Sequence, residues 1–201
     1  MNRRAVRTLA LAAGFLVGYH LLLALVVLLR FEAWPNYFHV HALAENFVLI
    51  LRGTPSWIDA IGIAIQEPWL EFGYANPDYY GIAEWSYMIL PSRLLMVVLA
   101  SVLLAVAWQD TRQGSAPYPA RSLNLTGAML LGLGCASLTW VVCCAYPSWI
   151  VLLAILGLDT ALALRLEPLG LAFVLGGLGL QIGALYWQTH VTATVAKYST
   201  R

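Results

Sequence analysis

His39 and His41 bracket a single residue, and Glu45 follows His41 by four positions. Two imidazoles and a carboxylate are donors that zinc or copper accepts, and residues four apart on a helix share one face. His39, His41 and Glu45 therefore carry a metal reading, although no fourth ligand stands near them in the sequence. The plainer reading is that histidines at a membrane surface hydrogen-bond headgroups, backbone or each other.

Cys143 and Cys144 are adjacent, with Cys135 two helical turns earlier. Vicinal thiols near a membrane surface can pass a soft cation. The pair is similar in type to that of small bacterial mercuric-ion transporters, a likeness confined to these two residues; the further thiol sites of those carriers have no counterpart here. Cysteine is also a common small apolar residue of buried helices. Asp159 falls inside an apolar run, where an ionisable group costs about 2.5–3.5 kcal/mol on insertion scales, so it must face other helices, a partner or water. Gln181 and His20 are intramembrane polar residues that could meet it. A proton or cation relay is one consequence; a protonated acid tying two helices together is the simpler one.

The segment from Phe31 to Tyr87 holds Glu32, Glu45, Asp59, Glu67, Glu71, Asp78 and Glu84 against Arg52 alone, seven acids minus one base, a net of −6. Nine of the eighteen tryptophans and tyrosines also lie there. Acidic surface attracts a basic partner, and aromatic rings anchor interfaces. Trp34, Trp57, Trp69, Trp85, Glu67, Glu71 and Asp78 are thus the candidate docking residues.

The elements that position these residues follow from composition. Of 201 residues, 61% are hydrophobic and 10% charged, against roughly 25% charged in a soluble domain. Apolar runs of about 20 residues match the roughly 30 Å of bilayer hydrocarbon. The expected fold is an all-α integral membrane protein with about five transmembrane helices, at 8–29, 88–108, 125–145, 149–164 and 169–187, in one membrane domain spanning 1–201. The first run reads as a retained helix rather than a signal peptide, because it is long and no Ala-x-Ala-like site follows it.

Arg3, Arg4, Arg7, Arg112, Arg121 and Arg165 fall on one side of this layout, which places the N-terminus in the cytoplasm and the 31–87 loop outside. In a bacterial cell, suggested by the short loops, that is the inner membrane and periplasm, with the C-terminus periplasmic. Within the loop, apolar residues at helical spacing predict an amphipathic surface helix over Val40–Leu51. Ser56-x-x-Asp59 predicts a second short helix that must stop before Pro68. Gly14 and Gly18 in the first span, Gly127, Gly132 and Gly134 in the third, and Gly176, Gly177, Gly179 and Gly183 in the last predict close helix packing.

A net charge of +1 and no basic face exclude a nucleic-acid partner. No Walker loop, His-Glu-x-x-His, Gly-x-Ser-x-Gly or Cys-x-x-Cys occurs, and no cofactor is implied. The sequence thus points to a non-catalytic subunit or accessory factor of a larger membrane complex, touching lipid, other membrane subunits and a basic periplasmic protein. A small carrier or metal-handling protein, and a membrane enzyme acting on a lipid or quinone, are the other readings.

Overall fold

A computed structural model describes residues 3–112, 118–136, 138–140 and 169–199, with 153, 157–159, 161, 162 and 165 between them. In chain order the elements are α1 (Arg3–Phe31), β1 (Tyr37–Val40), α2 (Leu43–Gly53), α3 (Trp57–Ala64), β2 (Leu70–Asn76), β3 (Ile82–Ile89), α4 (Pro91–Arg112), α5 (Tyr118–Gly134), β4 (Leu138–Trp140) and α6 (Leu169–Ser199). They divide into two compact units. A helical unit comprises Met1–Leu21, Met96–Cys135 and Pro168–Arg201; a sheet-bearing unit comprises Leu22–Leu95 and Ala136–Glu167.

Among the described residues three helices are long and apolar enough to cross a membrane: α1, the Pro91–Gln109 part of α4, and the Leu169–Gln188 part of α6. The first two have a visible stop or start. Proline in the first turn of α4 lacks only an N–H that would have no intrahelical acceptor. The helix α1 ends where Glu32 adopts φ 52 and donates its N–H to the Leu28 carbonyl at 2.9 Å, a left-handed stop normally taken by glycine.

Among the described residues the count is three, not the five expected. The third expected span, 125–145, is overturned because α5 stops at Gly134 and the chain turns at Cys135 into β4. With 17 residues, α5 is about 26 Å long at roughly 1.5 Å per residue. Its opening Tyr-Pro-Ala-Arg-Ser-Leu-Asn leaves the apolar part well short of roughly 30 Å. The fourth, 149–164, lies largely outside the described residues; Leu153, Ala161 and Leu162 are helical, while Gly157 has φ 95 and Leu158 and Asp159 are exposed without regular structure.

In the helical unit, α5 and α6 pair antiparallel along a seam of small residues. Ala120, Asn124, Gly127, Leu131 and Gly134 are buried on α5, and Gly170, Val174, Gly177, Gln181, Ala184 and Gln188 on α6. Both sets advance by steps of four and three, the repeat that keeps one stripe facing a partner helix. Glycine sets the approach: a Cβ on Gly177 would stand 2.7 Å from the Gly127 carbonyl oxygen and 2.9 Å from the Leu131 nitrogen. Val97, Leu131, Cys135 and Val174 form the core beside this seam, with Leu16 and Tyr19 of α1 against it, and the Tyr19 hydroxyl donates to the Gly132 carbonyl at 2.8 Å.

The sheet-bearing unit corrects the all-α expectation. An antiparallel meander runs in the order β1-β2-β3-β4. Its strands come from the period-two alternation of Leu70–Asn76 and Ile82–Ile89, joined by the tight Pro77–Tyr79 turn. β1 also displaces the expected surface helix: the His41 N–H bonds the Trp69 carbonyl at 3.1 Å, so helix begins only at Leu43, not at Val40. The second short helix forms as expected, with Ser56 capping α3 by accepting from the Asp59 N–H at 3.5 Å.

Candidate functional site

The sheet register sorts side chains into two chemically distinct faces. Pairings Phe38↔Phe72, Phe72↔Tyr87 and Tyr74↔Trp85 put aromatic rings on one face, while Tyr37↔Gly73, His39↔Glu71 and Gly73↔Ser86 put polar groups on the other. On the aromatic face Phe72 lies edge-on to Trp85, with centroids 6.4 Å apart, and tilted against Tyr87 at 5.1 Å. Trp85 is 1% exposed. It forms the core of this unit rather than a docking surface, unlike the role expected for it.

The polar face centres on Glu71. The Tyr37 hydroxyl donates to one carboxylate oxygen at 2.9 Å, and His41 Nε2 lies 3.5 Å from the other. The His39 and His41 rings stand edge to face, 4.5 Å between centroids. Burial pushes the Tyr37 phenol up to about 12, with the hydrogen bond and negative charge of Glu71 adding to the rise and a Ser86 hydrogen bond opposing it. Tyr37 is therefore held as a neutral donor. The cluster depends on Gly73 between β1 and β3. A Cβ there would stand 2.7 Å from the Tyr37 hydroxyl and 2.9 Å from the Ser86 Cα, besides meeting the Trp85 carbonyl oxygen.

Of the expected metal set, His39 and His41 do come together, but Glu45 does not join them. It sits exposed in the first turn of α2, and since His41 precedes that helix the two do not share a helical face. Glu71 takes its place through strand pairing. Among the described residues no group of three or more histidines, cysteines and acids is arranged to hold a metal ion. Tyr37, Gly73 and Ser86 were not singled out from the sequence; the alternation of Tyr37-Phe38-His39-Val40 was the available signal.

Comparison with protein-family models, curated proteins and solved structures finds no match to this chain. Its function must be argued from its own geometry.

The remaining candidates are scattered. Cys143 and Cys144 lie outside the described residues. Gln181 is fully buried in the α5–α6 seam, and neither its amide nitrogen nor its oxygen has a hydrogen-bond partner among the described residues. His20 is half-buried beside Tyr19, ring centroids 5.3 Å apart. A Cβ added to Gly14, Gly18, Gly179 or Gly183 would meet nothing within 4 Å, while Gly127, Gly134 and Gly177 make the close contacts. Glu67 and Trp69 line an apolar groove of about 460 Å³ with Phe47, Ile50 and Ile65.

Exposed rings crowd the sheet-bearing unit. Trp34 is 78% exposed, Trp57 71% and Tyr80 100%. Tyr80 follows Asp78 at the tip of the β2–β3 connection, where Asn76 caps the turn by accepting from the Asp78 N–H at 3.0 Å. Tyr80 itself holds the left-handed conformation, φ 58 and ψ 26, which costs an L-residue about 1–2 kcal/mol. A bulky ring displayed fully to solvent on strained backbone is a feature that folding does not require.

Proposed function

We propose that the protein is a non-catalytic subunit or accessory factor of a larger membrane complex, whose sheet-bearing segment between α1 and α4 presents aromatic side chains to a protein partner. The observation that carries this reading is Tyr80, wholly exposed and held at positive φ on a capped turn. Trp34 and Trp57 supply further exposed rings on the same unit. Interface energy concentrates in such residues. The net charge of −6 over 31–87 favours a basic partner surface and a salt-sensitive encounter.

In this reading the Glu71 cluster is structural: a neutral tyrosine and a histidine hold one carboxylate and fix β1 against β2. The arginine distribution favours a cytoplasmic N-terminus, with the 32–90 segment on the opposite side of a bacterial inner membrane.

The test is purification of the full chain at native expression in mild detergent. A stoichiometric partner is expected, retained at low salt and lost in the Trp34→Ala/Tyr80→Ala double variant at unchanged membrane abundance. Recovery of a partner-free monomer at low salt, or a complex indifferent to the double variant, would overturn the proposal.

A further inference from the structure

At one end of the helical unit, α1 and α4 enclose a cavity of about 630 Å³, within the roughly 300–1,000 Å³ range of small-ligand sites. Arg4 and Arg7 line it from α1, and Arg112 and Gln109 from α4, with no carboxylate in the lining among the described residues. Arg7 and Arg112 bring two guanidiniums to the wall of one cavity, a positive patch that attracts an anion. The Arg112 guanidinium lies over the Trp108 ring, 5.5 Å from its centroid, and Trp108 is braced edge-on by Phe15 at 6.4 Å. That stacking orients one positive group at the cavity wall.

A second observation points to an acceptor. The Gln109 side-chain nitrogen is buried and has no hydrogen-bond partner among the described residues, while the residue borders this cavity. A buried N–H of this kind costs stability unless an acceptor reaches it. The wall is completed by Ala10 and Leu11, an apolar ledge one turn beyond Arg7. Both helices are of membrane-crossing length, so an arginine-rich cavity at their ends sits at headgroup depth with the ledge on its hydrocarbon side.

We propose that this cavity binds the phosphate of an anionic phospholipid, with Arg4, Arg7 and Arg112 holding the phosphate oxygens, Gln109 donating to a phosphate or ester oxygen, and Ala10 and Leu11 receiving the first acyl carbons. Guanidinium forks match phosphate geometry and charge. Basic pockets between spans are a recognised form of headgroup site. The apolar ledge selects a lipid over a free phosphate ion, which would leave it uncovered.

The full chain in neutral detergent is titrated with short-chain phosphatidylglycerol, short-chain phosphatidylcholine or inorganic phosphate, with thermal unfolding as readout. Phosphatidylglycerol is expected to raise the midpoint saturably; phosphatidylcholine and inorganic phosphate at equal concentration are not. Arg7→Gln/Arg112→Gln should weaken phosphatidylglycerol binding roughly 30-fold, from two lost surface charges. Arg7→Lys/Arg112→Lys, which retains charge but not the fork, should fall between. Equal effects of the two lipids, or full binding by the glutamine variant, would overturn the proposal. Inorganic phosphate reproducing the whole shift would overturn the lipid assignment in favour of a free-anion site. The lipid comparison uses the unaltered protein, so it stands even if a variant folds poorly.

Discussion

Replacing Tyr80 with glycine should stabilise the sheet-bearing unit while weakening partner binding. The tyrosine sits at φ 58 and ψ 26 and is 100% exposed, so its removal takes away no contact within the chain. Relief of the left-handed conformation is worth about 1–2 kcal/mol. Glycine returns roughly 0.5–1 kcal/mol of that by widening the unfolded ensemble. The net gain is about 0.5–1 kcal/mol, which slows amide exchange through local opening of the β2–β3 hairpin roughly two- to fivefold. Hydrogen exchange on the full chain reads this at Gly81, whose N–H bonds the Asn76 carbonyl at 3.1 Å, and along β2 and β3. Tyr80→Ala separates the two effects, because alanine removes the ring but keeps the left-handed strain: exchange should match the parent. If Tyr80 is an interface anchor, both variants should weaken the complex by about 2 kcal/mol or more, roughly 30-fold. Unchanged or faster exchange in Tyr80→Gly would refute the strain, and an intact complex in both variants would refute the anchor.

The seam between α5 and α6 predicts opposite signs at adjacent glycines. Gly177→Ala must force helices apart, since its Cβ meets the Gly127 carbonyl at 2.7 Å, at a cost of about 1–3 kcal/mol. Gly176→Ala enters open space and should gain about 0.8–1 kcal/mol of helix propensity; denaturant unfolding in detergent distinguishes them, and equal effects would contradict the seam. Gly73→Ala should push the Tyr37 hydroxyl from Glu71 and destabilise β1–β2 by about 1–3 kcal/mol, seen as faster exchange in those strands only. Burial and Glu71 push the Tyr37 phenol up to about 12 in the folded protein, against an ordinary 10. The folded state then holds the proton more tightly, so stability is full below pH 10, falls as pH rises towards 12 and levels beyond; phenolate absorbance and unfolding midpoints measure this, and Tyr37→Phe should remove that part of the loss.

The membrane character and three of the spans were legible because long apolar runs have only one comfortable solvent. The end of α1, within two residues, and the start of α6 needed little beyond the apolar run and its breakers, whereas α1 begins at Arg3, five residues before the expected span. Span counting failed where apolar composition outran apolar helix. Residues 125–145 are nearly continuous in hydropathy, yet α5 ends at Gly134 and the next described segment pairs as a strand with β3. Hydropathy measures affinity for lipid and carries no information about a change of backbone at Cys135. The sheet was missed for a related reason. Tryptophan and tyrosine suit a membrane interface and a β-strand equally, so aromatic density hid the alternation in Leu70–Asn76 and Ile82–Ile89. The site inherited that error: helical spacing paired His41 with Glu45, whereas strand register brings His41 to Glu71.

The glycines show where a stronger reading could have begun. Of the glycines singled out for packing, Gly14, Gly18, Gly176, Gly179 and Gly183 stand open, and Gly127, Gly134 and Gly177 pack. Four-residue spacing alone does not separate the groups, because Gly14 and Gly18 satisfy it as well as Gly170 and Val174 do. What separates them is persistence. Ala120, Asn124, Gly127, Leu131 and Gly134 keep alternating steps of four and three, and six residues from Gly170 to Gln188 match them on α6, all buried. A lipid-facing stripe has no reason to sustain that rhythm, because acyl chains do not interdigitate in register. A protein-facing stripe must, because each residue meets a fixed hole on its partner. The same stripe contains Asn124 and Gln181, amides that a lipid-facing surface would expose to hydrocarbon. On helices apolar all round, sustained alternation of steps together with buried amides marks the protein-facing side, where hydropathy marks none.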